Sequence, residues 1–72
     1  MPSGLRNTLK VERARRDLTQ EQLATLAGVT RKTINTIETG RFVPSTTLAL
    51  TLARVLGLRV EDLFALDDGG RE

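Results

Sequence analysis

The chain has 72 residues, with 11 Lys plus Arg against 9 Asp plus Glu and a formal net charge of +2. That length holds one small domain, and 39% hydrophobic residues supply a core but no apolar run near the ~20 residues of a membrane span. With no Cys and no His, disulfide frameworks, thiolate and imidazole metal sites and Ser-His triads are excluded, and two aromatics (Phe42, Phe64) argue against a stacking platform for single-stranded nucleic acid.

The first residues, Met1 to Gly4, lack the charged start and apolar run of a signal peptide, so a cytoplasmic protein is expected. Charge is uneven along the chain. Leu5 to Arg41 carries eight basic and four acidic residues, whereas Phe42 onward carries three basic and five acidic. A basic front and an acidic back suit one face for a polyanion and another for a different contact.

In chain order, Leu5 and Leu9 stand four apart and no Gly or Pro interrupts Arg6 to Arg16, which predicts a first helix ending near Arg16 and Asp17. Thr19 and Gln22 then form a capping box, and Leu18 with Leu23 a hydrophobic staple. Leu23, Ala24, Leu26 and Ala27 are the expected buried side of this second helix, and Gly28 ends it. Thr30 caps a third helix with Ile34 and Ile37 inward, stopped by Gly40. Pro44-Ser45 opens a fourth, with Leu48, Leu52, Ala53, Val55 and Leu56 as its stripe and Gly57 as its stop. A short fifth helix is expected at about Val60 to Phe64, with Glu61 and Asp62 near its positive end. A short extended pairing between the N-terminal residues and Phe64 to Leu66 fits the remaining pattern. The domain is read as residues 5–66, with 67–72 as a flexible tail.

Two helices joined by a two- or three-residue turn around a Gly are the mark of a helix-turn-helix. Counting Gln20 as position 1, the residues Leu23, Ala24, Ala27, Gly28, Val29, Ile34 and Ile37 fall at positions 4, 5, 8, 9, 10, 15 and 18. Ala24 is small where the next helix crosses, Gly28 permits the tight turn, and the others bury the inner sides of both helices. On the third helix, Lys32, Asn35, Thr36 and Thr39 point away from Ile34 and Ile37, and Arg31 lies on the flank.

The runs Leu18-Thr-Gln-Glu-Gln-Leu-Ala24 and Gly28-Val-Thr-Arg-Lys-Thr-Ile-Asn-Thr-Ile-Glu-Thr-Gly40, followed by Pro44-Ser45, Leu56-Gly57 and Glu61-Asp-Leu-Phe64, resemble the Cro/C1-type helix-turn-helix (XRE) family, above all its short stand-alone repressors. The resemblance spans about Leu5 to Leu66. It implies an all-α, five-helix lambda-repressor-like DNA-binding domain, no cofactor, and a homodimer on a palindromic operator. Arg59 departs from the family, which more often places a small polar cap there.

Chemistry assigns roles to the outward residues. Arg31 or Lys32 is suited to a guanine edge, Asn35 to adenine, and the Thr36 methyl to a thymine methyl. Thr19, Gln20 and Thr30 sit at helix N-termini that suit phosphate, and Arg41 follows the third helix toward the backbone of the duplex. Gln20 also matches the family's Gln that contacts phosphate and braces the recognition helix. Arg6, Lys10 and Arg16 add general attraction. Arg13 and Glu38 flank inner faces with opposite sign, which predicts a partly buried ion pair; the family has a like pair. Leu58, Val60 and Leu66, with Leu50 as a neighbour, are the expected dimer surface, since Leu63 and Phe64 face the core.

The sequence therefore reads as a double-stranded DNA-binding transcriptional repressor without metal or membrane. A second reading keeps the fold and makes the chain an antitoxin that binds a toxin protein and its own operator. A third, an interaction module that has lost DNA, is opposed by Arg31 and Lys32. The Ser, Thr and acidic residues form no base-nucleophile arrangement, which argues against an enzyme.

Overall fold

The computed structural model describes residues 4–67. Its elements are β1 (Gly4–Asn7), α1 (Leu9–Arg15), α2 (Gln20–Ala27), α3 (Arg31–Glu38), α4 (Thr46–Leu56), α5 (Val60–Leu63) and β2 (Phe64–Asp67). The chain therefore belongs to the five-helix class expected, and a two-stranded ribbon closes its ends. β1 and β2 pair antiparallel, with Leu5 opposite Leu66 and Asn7 opposite Phe64.

The ribbon corrects three boundaries. Leu5 is a strand residue, not part of the first helix, because its four-residue spacing to Leu9 also fits a strand followed by a turn. Phe64 opens β2 instead of ending the fifth helix; it is buried with extended backbone. β2 runs through Asp67, the first residue assigned to the tail, and residues 68–72 of that tail lie outside the described residues.

The caps fall where the residue types dictate. The Thr19 hydroxyl accepts from the Gln22 N–H at 3.0 Å while Gln22 Oε1 accepts from the Thr19 N–H at 2.8 Å. The Thr30 and Ser45 hydroxyls accept from the N–H groups of Thr33 and Leu48. Gly28 takes φ +77° at the end of α2, a left-handed conformation that only glycine adopts without steric cost. At α5 Asp62 Oδ2 accepts from the Arg59 N–H at 3.0 Å, the reciprocal half of a capping box, while Arg59 itself supplies no acceptor to the first-turn N–H groups.

One core unites the helices: Leu9, Leu23, Ala24, Ile34, Ile37, Leu52, Ala53, Leu56, Leu63 and Phe64 are buried. Leu48 and Val55 of the expected α4 stripe are half-buried at its margin. Leu26, expected inside, is exposed. It lies about 100° from Ala27 on the helix and falls outside the stripe formed by Leu23, Ala24 and Ala27.

Candidate nucleic-acid interface

The site begins with what fixes α3. Arg13 on α1 donates from Nε to Glu38 Oε2 at 2.6 Å and from Nη2 to Glu38 Oε1 at 3.2 Å. The Glu38 side chain is only 3% exposed and that of Arg13 14%, so the pair is largely removed from solvent. Arg13 also donates from Nη1 to the Leu18 carbonyl at 2.7 Å, which ties the α1–α2 turn to the same point. The hydrogen bond to Glu38 holds the Arg13 guanidinium in its charged form, raising its pKa against the opposing pull of burial.

Gln20, the first residue of α2, reaches the same carboxylate. Its Nε2 donates to Glu38 Oε1 at 3.0 Å and to Asn35 Oδ1 at 3.1 Å. It thus braces α3, as expected. Both amide hydrogens are committed within the protein, which leaves the backbone N–H of the first turn as its donor for an anion.

Asn7 is a second brace, which the sequence reading missed. Its Nδ2 donates to the Ile37 carbonyl at 3.0 Å and its Oδ1 accepts from the Leu9 N–H at 3.1 Å. One strand residue therefore caps α1 and holds the last turn of α3. Asn at a strand-to-helix junction, one position before an unused Thr8 cap, was its only signal in the sequence.

With the inner side fixed, α3 presents Arg31, Lys32, Asn35 and Thr39 to solvent. Neither Arg31 nor Lys32 forms an ion pair among the described residues. Thr36 is half-buried, with its hydroxyl donated back to the Thr33 carbonyl at 2.9 Å. Thr39 is likewise tied back, to the Asn35 carbonyl at 3.0 Å. Arg41 is exposed just past α3, its backbone N–H bonded to the Thr36 carbonyl at 2.9 Å. Thr19 and Thr30 sit exposed at the N-termini of α2 and α3. The structure therefore places Thr19, Gln20, Thr30, Arg31, Lys32, Asn35 and Thr36 on the α2 and α3 N-termini and along α3, with Arg41 beyond the C-terminal end of α3.

Arg16 is elsewhere. It donates to the Leu56 carbonyl and to Glu12, so it is a structural clamp and not a free charge for general attraction. Glu12, unassigned by the sequence, is the centre of this second network, pairing with Arg15 at 3.3 Å and Arg16 at 2.9 Å.

The expected dimer residues divide. Leu66 is 78% exposed, while Leu58 and Val60 are half-buried, with one side packed against the core. Val60 still lines an apolar groove of about 260 Å³ with Leu5, Val43, Pro44, Leu50 and Phe64. Leu58 does not line it. Leu66 lies opposite Leu5 in the ribbon and so shares the face that borders the groove. No helix among the described residues is long and apolar enough to cross a membrane, and no group of metal-binding side chains gathers among them.

A domain in which a short helix pair holds a polar, cation-bearing helix outward is a helix-turn-helix. The sequence profile of the helix-turn-helix family matches residues 9–63. The chain belongs to that family in its Cro/C1-type (XRE) branch, a family of DNA-binding transcriptional regulators. It is 45% identical over 64 residues to an uncharacterised HTH-type transcriptional regulator of Methanocaldococcus jannaschii, covering 89% of this chain and 97% of that one. It is 41% identical over 64 residues to another from Bacillus subtilis, with 89% and 97% covered. Among solved structures, the restriction-modification controller protein C.AhdI from Aeromonas hydrophila superimposes with a TM-score of 0.72 at 31% identity, covering 75% of this chain and 82% of that one.

Proposed function

We propose that this protein is a sequence-specific repressor that binds a palindromic operator as a homodimer and acts by occluding a promoter. Arg31 and Lys32, exposed in the first turn of a rigidly braced α3 and without an ion pair among the described residues, are the observation that carries this reading. Inserted N-terminus first, α3 brings Arg31 or Lys32 to a guanine edge and Asn35 to a neighbouring base. The Thr36 hydroxyl is held by its own helix, which leaves its methyl for a thymine methyl. The first-turn N–H groups of α2, the hydroxyls of Thr19 and Thr30, and Arg41 then meet phosphate and set the register.

The groove beside Leu50 and the exposed Leu66 supports a two-fold dimer, with the recognition helices about 34 Å apart, one turn of the duplex. Glu61 and Asp62 follow the groove-lining Val60 in the first turn of α5, and negative charge there suits a surface kept off DNA. Selection of duplexes from a random pool tests the reading. A palindromic consensus, with log affinity falling linearly against log salt, is the expected result. Recovery of unrelated sequences, or affinity indifferent to salt, overturns it.

A further inference from the structure

The hydrogen-bond chain that ends on Asn35 has a direction. An ionised carboxylate only accepts, and Glu38 Oε1 already takes one hydrogen from Arg13. Gln20 must therefore turn its NH2 group, not its carbonyl, toward Glu38. The second hydrogen of that NH2 goes to Asn35, which in turn must present Oδ1 to Gln20. The amide ends of one side chain point apart, so the Asn35 NH2 group faces away from Gln20, on the exposed side of α3.

We propose that this relay makes Asn35 a hydrogen-bond donor on the recognition face, selecting a base edge that carries an acceptor and disfavouring cytosine. The acceptors are guanine O6 and N7, thymine O4 and adenine N7, whereas cytosine offers only its N4 amino group in the major groove. The inference rests on the DNA-binding reading and refines it. A bidentate pairing with adenine needs both Oδ1 and Nδ2 at the base; the bond from Gln20 takes one of the two Oδ1 lone pairs and draws that oxygen toward α2, which favours donation from Nδ2 alone. Gln20 and Glu38 are positioning residues in this scheme. A buried ion pair that never meets DNA sets a base preference through one intervening amide.

The variant Gln20→Met separates this from a merely structural role. Methionine fills similar volume without polar hydrogens, and Glu38 Oε1 keeps its bond from Arg13, so the ion pair stays satisfied. In duplex selection, the wild type is expected to disfavour cytosine relative to guanine by roughly tenfold at one base pair per half-site. Gln20→Met is expected to bring that ratio to about twofold while the other positions hold. An even loss at every position, or an unchanged ratio, overturns the relay. Side-chain amide exchange by NMR on the DNA-free protein is the second arm. The Gln20 NH2 hydrogens are expected to exchange more slowly than those of Asn35, and the reverse order overturns the proposed polarity. A chain that binds no duplex overturns the function and the base preference together, and the amide exchange then judges the relay by itself.

Discussion

Arg16 donates from Nε to the carbonyl oxygen of Leu56 at 3.0 Å, joining the end of α1 to the last turn of α4. The last carbonyls of a helix lack intrahelical partners and carry the negative end of its dipole, so a guanidinium there is doubly matched. Glu12 holds the same guanidinium from the other side, accepting from Nη1 through its backbone oxygen at 2.7 Å and its carboxylate at 2.9 Å. Arg16→Ala is expected to cost about 1–2 kcal/mol, since these are charge-assisted bonds at a partly solvated site. Thermal melting measures that loss. Base preference is expected to be unchanged, and an intact Tm with weakened DNA binding would instead return Arg16 to the role of a surface charge.

The Arg13–Glu38 pair calls for a different experiment. Removing either partner leaves the other charge largely buried, at a cost of about 3 kcal/mol or more. The expected result is that Arg13→Ala and Glu38→Ala each lower the Tm, while the double variant loses less than their sum. Additive losses in that cycle would mean the two side chains do not interact.

Much of this arrangement is written locally. Thr19 with Gln22, Gly28, and Ser45 each specify a helix end by themselves, and the matching inner positions of α1 and α3 placed Arg13 against Glu38. What escaped depends on contacts across the fold. Leu5 is four residues before Leu9 in sequence, yet its strand exists only because Leu66 lies opposite it. Asn7 gains its meaning from the Ile37 carbonyl, thirty positions away. Arg16 reads as one more cation until α4 ends beside it. Leu58 and Val60 seemed surplus to the core because the sequence does not reveal that the α4–α5 turn and the start of α5 pack one side against it.

Arg31 is exposed and forms no ion pair among the described residues, so Arg31→Ala is expected to leave the Tm unchanged. Its cost falls on binding, at roughly 1–3 kcal/mol with relaxed preference at one base pair, if its guanidinium reads guanine. Titration on operator and random duplexes separates the two roles. Equal losses on both would make Arg31 a phosphate contact.

Acid should weaken the start of α5. The Asp62 carboxylate accepts from the Arg59 N–H, and also from its guanidinium, which holds its pKa below the ordinary carboxylate value. A lowered folded-state pKa contributes stability that is present above the unfolded value and lost as pH falls through the folded one. The Tm difference between wild type and Asp62→Asn is therefore expected to be largest near neutrality and to close in acid. A difference that is constant across that range would remove the carboxylate charge from the account.

Assembly is tested at Leu66. It is the most exposed large apolar side chain among the described residues, and it lies opposite Leu5, which lines a groove with the exposed Leu50 and Val43. Apolar area gathered on one face of so small a domain marks a contact more often than chance. A lysine there adds a charge on each side of a two-fold axis, where burial and like-charge repulsion act together. Because Leu66 lies outside the core, Leu66→Lys should fold. The expected outcome in sedimentation at micromolar concentration is a dimer for the wild type and a monomer for the variant, with weakened operator binding. A wild-type monomer, or a variant that remains dimeric, would place the two-fold axis elsewhere and leave half-site cooperation to the DNA itself.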